Sequence, residues 1–166
     1  RTRFTMLKAS EQTNIIKSIY IALTGDKFPH EADIIEAQTV ISYIKNMMLT
    51  TPKQRAEYLN DEPFYEEFFN QYVDTLKSQK RMDFDDQLIY AREILMARPK
   101  VLAWFQAQYQ YICVDEAQDT SKIQHEIIRM LASKQNNIFM VGDEDQSIYR
   151  FRAAYPLSLI HISEPT

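Results

Sequence analysis

The 166 residues are 45% hydrophobic and 25% charged, enough apolar material to bury a core in one domain or two small units, which excludes a disordered chain. A formal net charge of -4 excludes a generally basic nucleic-acid wrapper, so any DNA contact has to be local, as around Lys80 and Arg81 or Arg150 to Arg152. No apolar run approaches the roughly eighteen residues of a membrane span, and the basic start precedes no signal-like segment, so the expected location is cytoplasmic.

Residues 10–23 place Ile15, Ile16, Ile19, Tyr20 and Leu23 at helical spacing, and Gly25 supplies a natural stop. Residues 32–48 predict a second helix with Ile34, Ile35, Ile41, Ile44 and Met48 inward. Thr51 and Pro52 read as the cap and first position of a short third helix. Residues 64–76 repeat Phe64, Phe68, Tyr72, Val73 and Leu76 on one face, an aromatic stripe expected in the core. The first half is therefore all-helical.

The polar, basic stretch 78–81 marks the expected domain junction. Asp83 caps the next helix and Asp86 sits at its third position, close to a capping box. That helix runs to about Ala97, where Arg98 and Pro99 stop it, and another spans 101–108. Strand 111–114, a helix begun by Ser121 and ending near Leu131, and strand 138–141 make a strand–helix–strand crossover, which favours parallel pairing. Cys113, the single cysteine, is expected as a small core residue in a reducing compartment. His30, His125 and His161 lack ligand spacing and read as surface or capping residues, so no zinc site is expected.

Both strands break into acidic and amide residues: Asp115, Glu116, Ala117, Gln118, Asp119 and Thr120 after the first, and the run VGDEDQSIYRFRAA over 141–154 at the second. Ligands of open α/β sheets bind at that edge. Successive side chains alternate across a pleat, so Asp115 and Glu116 can hold different jobs: Asp115 a magnesium ion, directly or through water, and Glu116 a water to be activated. The plainer alternative is that the pair caps the next helix or faces solvent. Gln146, both donor and acceptor, can sense a terminal phosphate or the attacking water. Tyr149 and Phe151 alternate with Arg150 and Arg152, which in extended chain gives one aromatic and one cationic side, the surfaces that stacked bases and phosphates need. Equally, the two aromatics can be core residues between solvated arginines.

DEAQDT at 115–120 and VGDEDQSIYRFRAA at 141–154 resemble, in order and spacing, the second and third motifs of the UvrD/Rep-type superfamily I DNA helicases. MDFDDQLI at 82–89 is similar to that family's DFDD-type helix start, and residues 4–20 to its helical insert. The resemblance implies an α/β, predominantly helical fold: a helical insert subdomain at 1–80, part of a RecA-like P-loop NTPase domain with a parallel sheet at 81–156, and an uncertain or non-native tail at 157–166. It implies ATP and Mg2+ as cofactors, with Asp115 on the metal, Glu116 the catalytic base, Gln146 the γ-phosphate contact, and Tyr149, Phe151 and Arg152 facing DNA. The implied activity is ATP-driven 3′ to 5′ movement on single-stranded DNA and unwinding at duplex junctions, with DNA repair among the expected settings. Alternatives are the helicase part of a helicase-nuclease and a non-catalytic DNA- or protein-binding module. One departure stands out: Gly25 and Gly142 are the only glycines, so these residues hold no Gly-rich loop ending in Gly-Lys-Ser/Thr to cradle phosphates. The chain is therefore expected to be an internal fragment, inactive without the remainder of the helicase chain.

Overall fold

The structure is a computed structural model that describes residues 4–60 and 62–142. It is predominantly helical with two small parallel sheets, and divides into two compact units, Arg1–Tyr90 and Ala91–Thr166.

The first unit opens with β1 (Thr5–Met6), followed by α1 (Ala9–Thr24), α2 (Glu31–Asn46), α3 (Pro52–Tyr58), α4 (Pro63–Ser78) and β2 (Arg81–Met82). Helix α5 (Phe84–Ala97) begins here too. The expected punctuation holds. Gly25 ends α1 at φ +73°, and its amide donates to the Ile21 carbonyl, a left-handed stop that costs glycine no Cβ clash. Thr51 and Gln54 cap α3 reciprocally, each side chain accepting from the other's backbone amide at 3.3 and 3.1 Å.

The core gathers Ile16 and Ile19 of α1, Ile34, Ala37 and Ile41 of α2, and Phe68, Tyr72 and Leu76 of α4. Val40, Ile44 and Leu59 form a second cluster. Ile35 was expected inward and is 56% exposed. The buried face of α2 follows 34, 37, 41 and 44 in steps of three and four, and Ile35 stands about 100° away from Ile34 on that wheel. Strands β1 and β2 pair in parallel, Thr5 with Arg81 and Met6 with Met82. The two ends of the helical segment thus meet, a contact two-residue strands do not announce by any periodicity. Arg81 is committed within this unit: its guanidinium donates to Glu11 Oε2 at 2.6 Å and to the Met6 carbonyl at 3.2 Å.

A polar cluster lies inside the same unit. The Lys45 ammonium reaches Asp83 Oδ2 at 2.6 Å and Asp86 Oδ1 at 2.7 Å, with both Lys45 and Asp83 buried. The Tyr72 hydroxyl donates to Asp83 at 2.8 Å and accepts from Gln12 Nε2 at 3.0 Å. Burial, then the Asp83 charge, pushes the Tyr72 phenol far above its ordinary range, so it remains a donor. Asn46 Nδ2 donates to Asp85 at 2.8 Å. The expected box at the start of α5 is present in full: the Asp86 amide donates to Asp83 Oδ1 at 2.8 Å and the Asp83 amide to Asp86 Oδ2 at 3.1 Å. Burial, partly offset by Lys45, raises the Asp86 carboxyl above the usual carboxylate range.

The second unit contains α6 (Pro99–Gln108), β3 (Ile112–Val114), a 3-10 turn (Ala117–Asp119), α7 (Lys122–Ala132) and β4 (Ile138–Met140). Strands β3 and β4 are parallel, with Ile112 against Ile138, Cys113 against Phe139 and Val114 against Met140. Gln106 ties α6 to the end of α7, donating to the Met130 carbonyl at 2.8 Å. Cys113 is exposed rather than buried. The pleat turns Ile112 and Val114 to the more covered face and Cys113, with its cross-strand partner Phe139, to the open one. His125 is buried within α7 rather than on the surface, while His30 stands at the N-cap of α2; His161 lies outside the described residues.

Burial pushes the His125 imidazole below its ordinary value. A depressed folded value means that the unfolded chain binds more protons, so this stability is present above about pH 6.5 and is lost as pH falls below it. His125→Gln is expected to flatten the slope of the urea midpoint between about pH 6.5 and 5. An unchanged slope would assign the acid sensitivity to other groups.

Candidate functional site

Strand β3 stops at Val114, and Asp115 and Glu116 follow as exposed residues. The pleat was expected to set their directions; the strand has already ended, and Glu116 sets them instead. It adopts φ +50° and ψ 45°, the left-handed region that a non-glycine residue seldom occupies. Such strain costs on the order of 1–3 kcal/mol and persists where the surroundings enforce it. Here they do. The Ala117 amide donates to the Val141 carbonyl at 2.9 Å, and the Val141 amide donates to the Val114 carbonyl at 2.8 Å. The chain leaving Glu116 is thereby bolted to the chain leaving β4, and the buried, small Ala117 allows the approach.

The 3-10 turn closes the arrangement. The Asp119 amide donates to the Glu116 carbonyl at 2.9 Å, and the Thr120 hydroxyl donates to the Ala117 carbonyl. Ser121 then occupies the N-cap of α7, as expected, its amide donating to Gln124 Oε1 at 2.7 Å.

Gln118, to which the sequence assigned no role, belongs to the first motif and faces the start of the next. Its Nε2 donates to Glu116 Oε2 at 2.5 Å. A methyl group on Gly142 would stand 2.5 Å from Gln118 Oε1 and 3.2 Å from the backbone nitrogens of Ala117 and Gln118. Only glycine fits there without displacing a neighbour. The signal available beforehand was an amide two residues after the carboxylate in one motif and a glycine opening the next.

The site can be tested for magnesium. Asp115 is exposed, and its Oδ1 accepts from the Glu116 amide at 3.0 Å. Magnesium takes one or two carboxylates and completes its shell with water and phosphate oxygens, so Asp115 fits as a ligand or as the acceptor of a bound water. Among the described residues no three His, Cys, Asp or Glu side chains gather as a metal cage. The structure brings Asp115 and Glu116 together at one strand end and joins the start of the run at 141–154, Val141 and Gly142, to the residues that flank them, Val114, Ala117 and Gln118. Gln146, Tyr149, Phe151 and Arg152 lie outside the described residues.

The family model described as the UvrD/REP helicase N-terminal domain matches residues 1–165. The chain is similar to an ATP-dependent DNA helicase PcrA from Leuconostoc citreum, 36% identical over 154 residues, covering 91% of this chain and 20% of that protein. It is similar to a probable DNA helicase II homolog from Rickettsia felis, at 34% identity over 92% of this chain and 23% of that one. A PcrA from Staphylococcus epidermidis is 32% identical over 97% of this chain and 22% of its own length. The chain thus spans about a fifth of the length of the curated relatives it matches. With a match along almost its whole length, this chain belongs to the UvrD/REP helicase N-terminal domain family.

Proposed function

We propose that the chain acts as part of an ATP-dependent DNA helicase that couples hydrolysis to 3′ to 5′ movement on single-stranded DNA and to unwinding at duplex junctions, in the cytoplasm. The observation that carries this reading is the left-handed Glu116 at the end of β3, held between Val114 and Ala117, both hydrogen bonded to Val141 at the head of the run 141–154. That arrangement suits a motor, because a carboxylate at the reacting phosphate is rigidly joined to the segment leading to the DNA-facing residues.

In this reading Asp115 holds Mg2+, directly or through water, and Glu116 accepts a proton from the attacking water. Gln146 contacts the terminal phosphate of ATP. The bound metal supplies charge neutralisation on the phosphates, and the remaining phosphate contacts come from chain outside these 166 residues, which contain no Gly-Lys-Ser/Thr loop. Residues 1–80 serve as the DNA-facing helical insert and 81–156 as part of the RecA-like motor, while 157–166 carry no assigned role.

The testing experiment measures ATP turnover by a complete helicase chain carrying this segment, with and without single-stranded DNA, alongside unwinding of a duplex with a 3′ tail. DNA-stimulated turnover with unwinding is expected; DNA binding without turnover would favour a binding module instead. Within that assay, Phe151→Ala is expected to lose about 1–3 kcal/mol of single-strand affinity per base contact while leaving the melting temperature nearly unchanged. Arg152→Ala should flatten the salt dependence of binding. A Phe151→Ala protein that melts early, yet binds DNA normally in its folded fraction, would return Phe151 to the core.

A further inference from the structure

We propose that Gln118 is a positioning residue that orients the Glu116 carboxylate and registers it against Gly142, adding a side-chain link to the backbone hydrogen bonds that already join the two motifs. The inference rests on the hydrolytic reading of Glu116 given above.

Three observations meet at this side chain. Its Nε2 donates to Glu116 Oε2 at 2.5 Å, which fixes one carboxylate oxygen and leaves the other to accept from water. Its Oε1 occupies the space beside Gly142 that a methyl group would need, with only 2.5 Å between them. Its backbone belongs to the 3-10 turn whose first amide, that of Ala117, is held by the Val141 carbonyl at 2.9 Å. The seat of Gln118 Oε1 therefore depends on residue 142 carrying no Cβ, and displacing that amide would move the donor that orients Glu116. Glu116 is exposed, and its left-handed backbone already commits the Cα direction. What remains free are the side-chain torsions, which the hydrogen bond from Gln118 restrains.

The geometry also fixes how the two positions interact. Gly142→Ala meets the Gln118 side chain first, at 2.5 Å, and the backbone nitrogens only at 3.2 Å. Removing the side chain at 118 leaves only the looser contacts, so the two substitutions should not add.

The test uses a complete helicase chain carrying this segment, with DNA-stimulated kcat expressed per nucleotide-binding site and the KM for ATP measured together. Gln118→Ala is expected to lower kcat about 10- to 100-fold with KM little changed, the pattern of a misplaced reacting group rather than lost binding. Gln118→Glu keeps the shape but replaces the donor with a second carboxylate, and should show the same loss; it stands in if Gln118→Ala fails to fold. Gly142→Ala should reduce kcat in the parent and add little in the Gln118→Ala background. Wild-type kcat in both Gln118 variants, or full additivity with Gly142→Ala, would overturn the coupling. Glu116→Gln in the same preparation separates the layers: if it abolishes turnover while the Gln118 variants remain active, the hydrolytic reading stands and the positioning role falls. If Glu116→Gln is active, the reading beneath it falls first.

Discussion

Lys45→Met is expected to destabilise the first unit by about 3–5 kcal/mol at neutral pH, the loss typical of removing one partner from a buried ion pair. The ammonium bonds Asp83 at 2.6 Å and Asp86 at 2.7 Å, and the Lys45 and Asp83 side chains are only 4% and 1% exposed. Methionine fills much of the same volume, so the deficit comes from stranded charge rather than from a cavity. Tyr72 and Gln12 hydrogen bond on one side of the cluster but bring no positive charge. The deficit should narrow in acid. Asp86 already holds its proton more tightly than an ordinary aspartate because burial disfavours the charged form, and without Lys45 it has less reason to ionise. Urea midpoints at neutral and mildly acidic pH check both parts. A loss under about 1 kcal/mol, the range of exposed pairs, would mean that water already solvates the cluster.

That cluster shows where sequence reading stops. The Asp83 and Asp86 box could be read from spacing because capping is local: the residues are three apart and the backbone amides they satisfy are their own. Lys45 is 38 residues from Asp83, and nothing in the pattern of α2 marks a lysine on its buried side. A charged residue within an amphipathic helix reads as solvated until a distant partner is known. The same limit hid the β1 and β2 pairing. Ile35 failed for another reason: a run of two isoleucines leaves the buried face ambiguous, and Ala37 and Val40 decided it.

At the site, the strand ends and the acidic residues beyond them were legible because an apolar run that turns acidic is itself the signal. The left-handed turn at Glu116 was not. Nothing in a glutamate announces positive φ; it is imposed by the hydrogen bonds of Ala117 and Val141, which are long-range. Cys113 was misplaced because an apolar strand can be covered on one face or on both, and only the paired register shows it opposite Phe139 on the open face.

The second large effect falls on Glu116. In a complete helicase chain carrying this segment, Glu116→Gln is expected to lower ATP turnover by about 10²–10⁴-fold, the contribution usual for a positioned general base. The amide keeps the size of the side chain and still accepts from Gln118 Nε2, so the turn at 116–119 should survive. What is lost is proton acceptance. Asp115→Ala, by contrast, should weaken nucleotide binding in a magnesium-dependent way, because the proposed role of its carboxylate is to hold the metal rather than to activate the water.

The most direct measurement pairs ATP affinity with single-strand-stimulated turnover in the parent protein and Glu116→Gln, at fixed magnesium. Retained affinity with turnover reduced by at least about 100-fold is the result expected of a hydrolytic carboxylate at the end of β3; unchanged turnover with intact binding would contradict it.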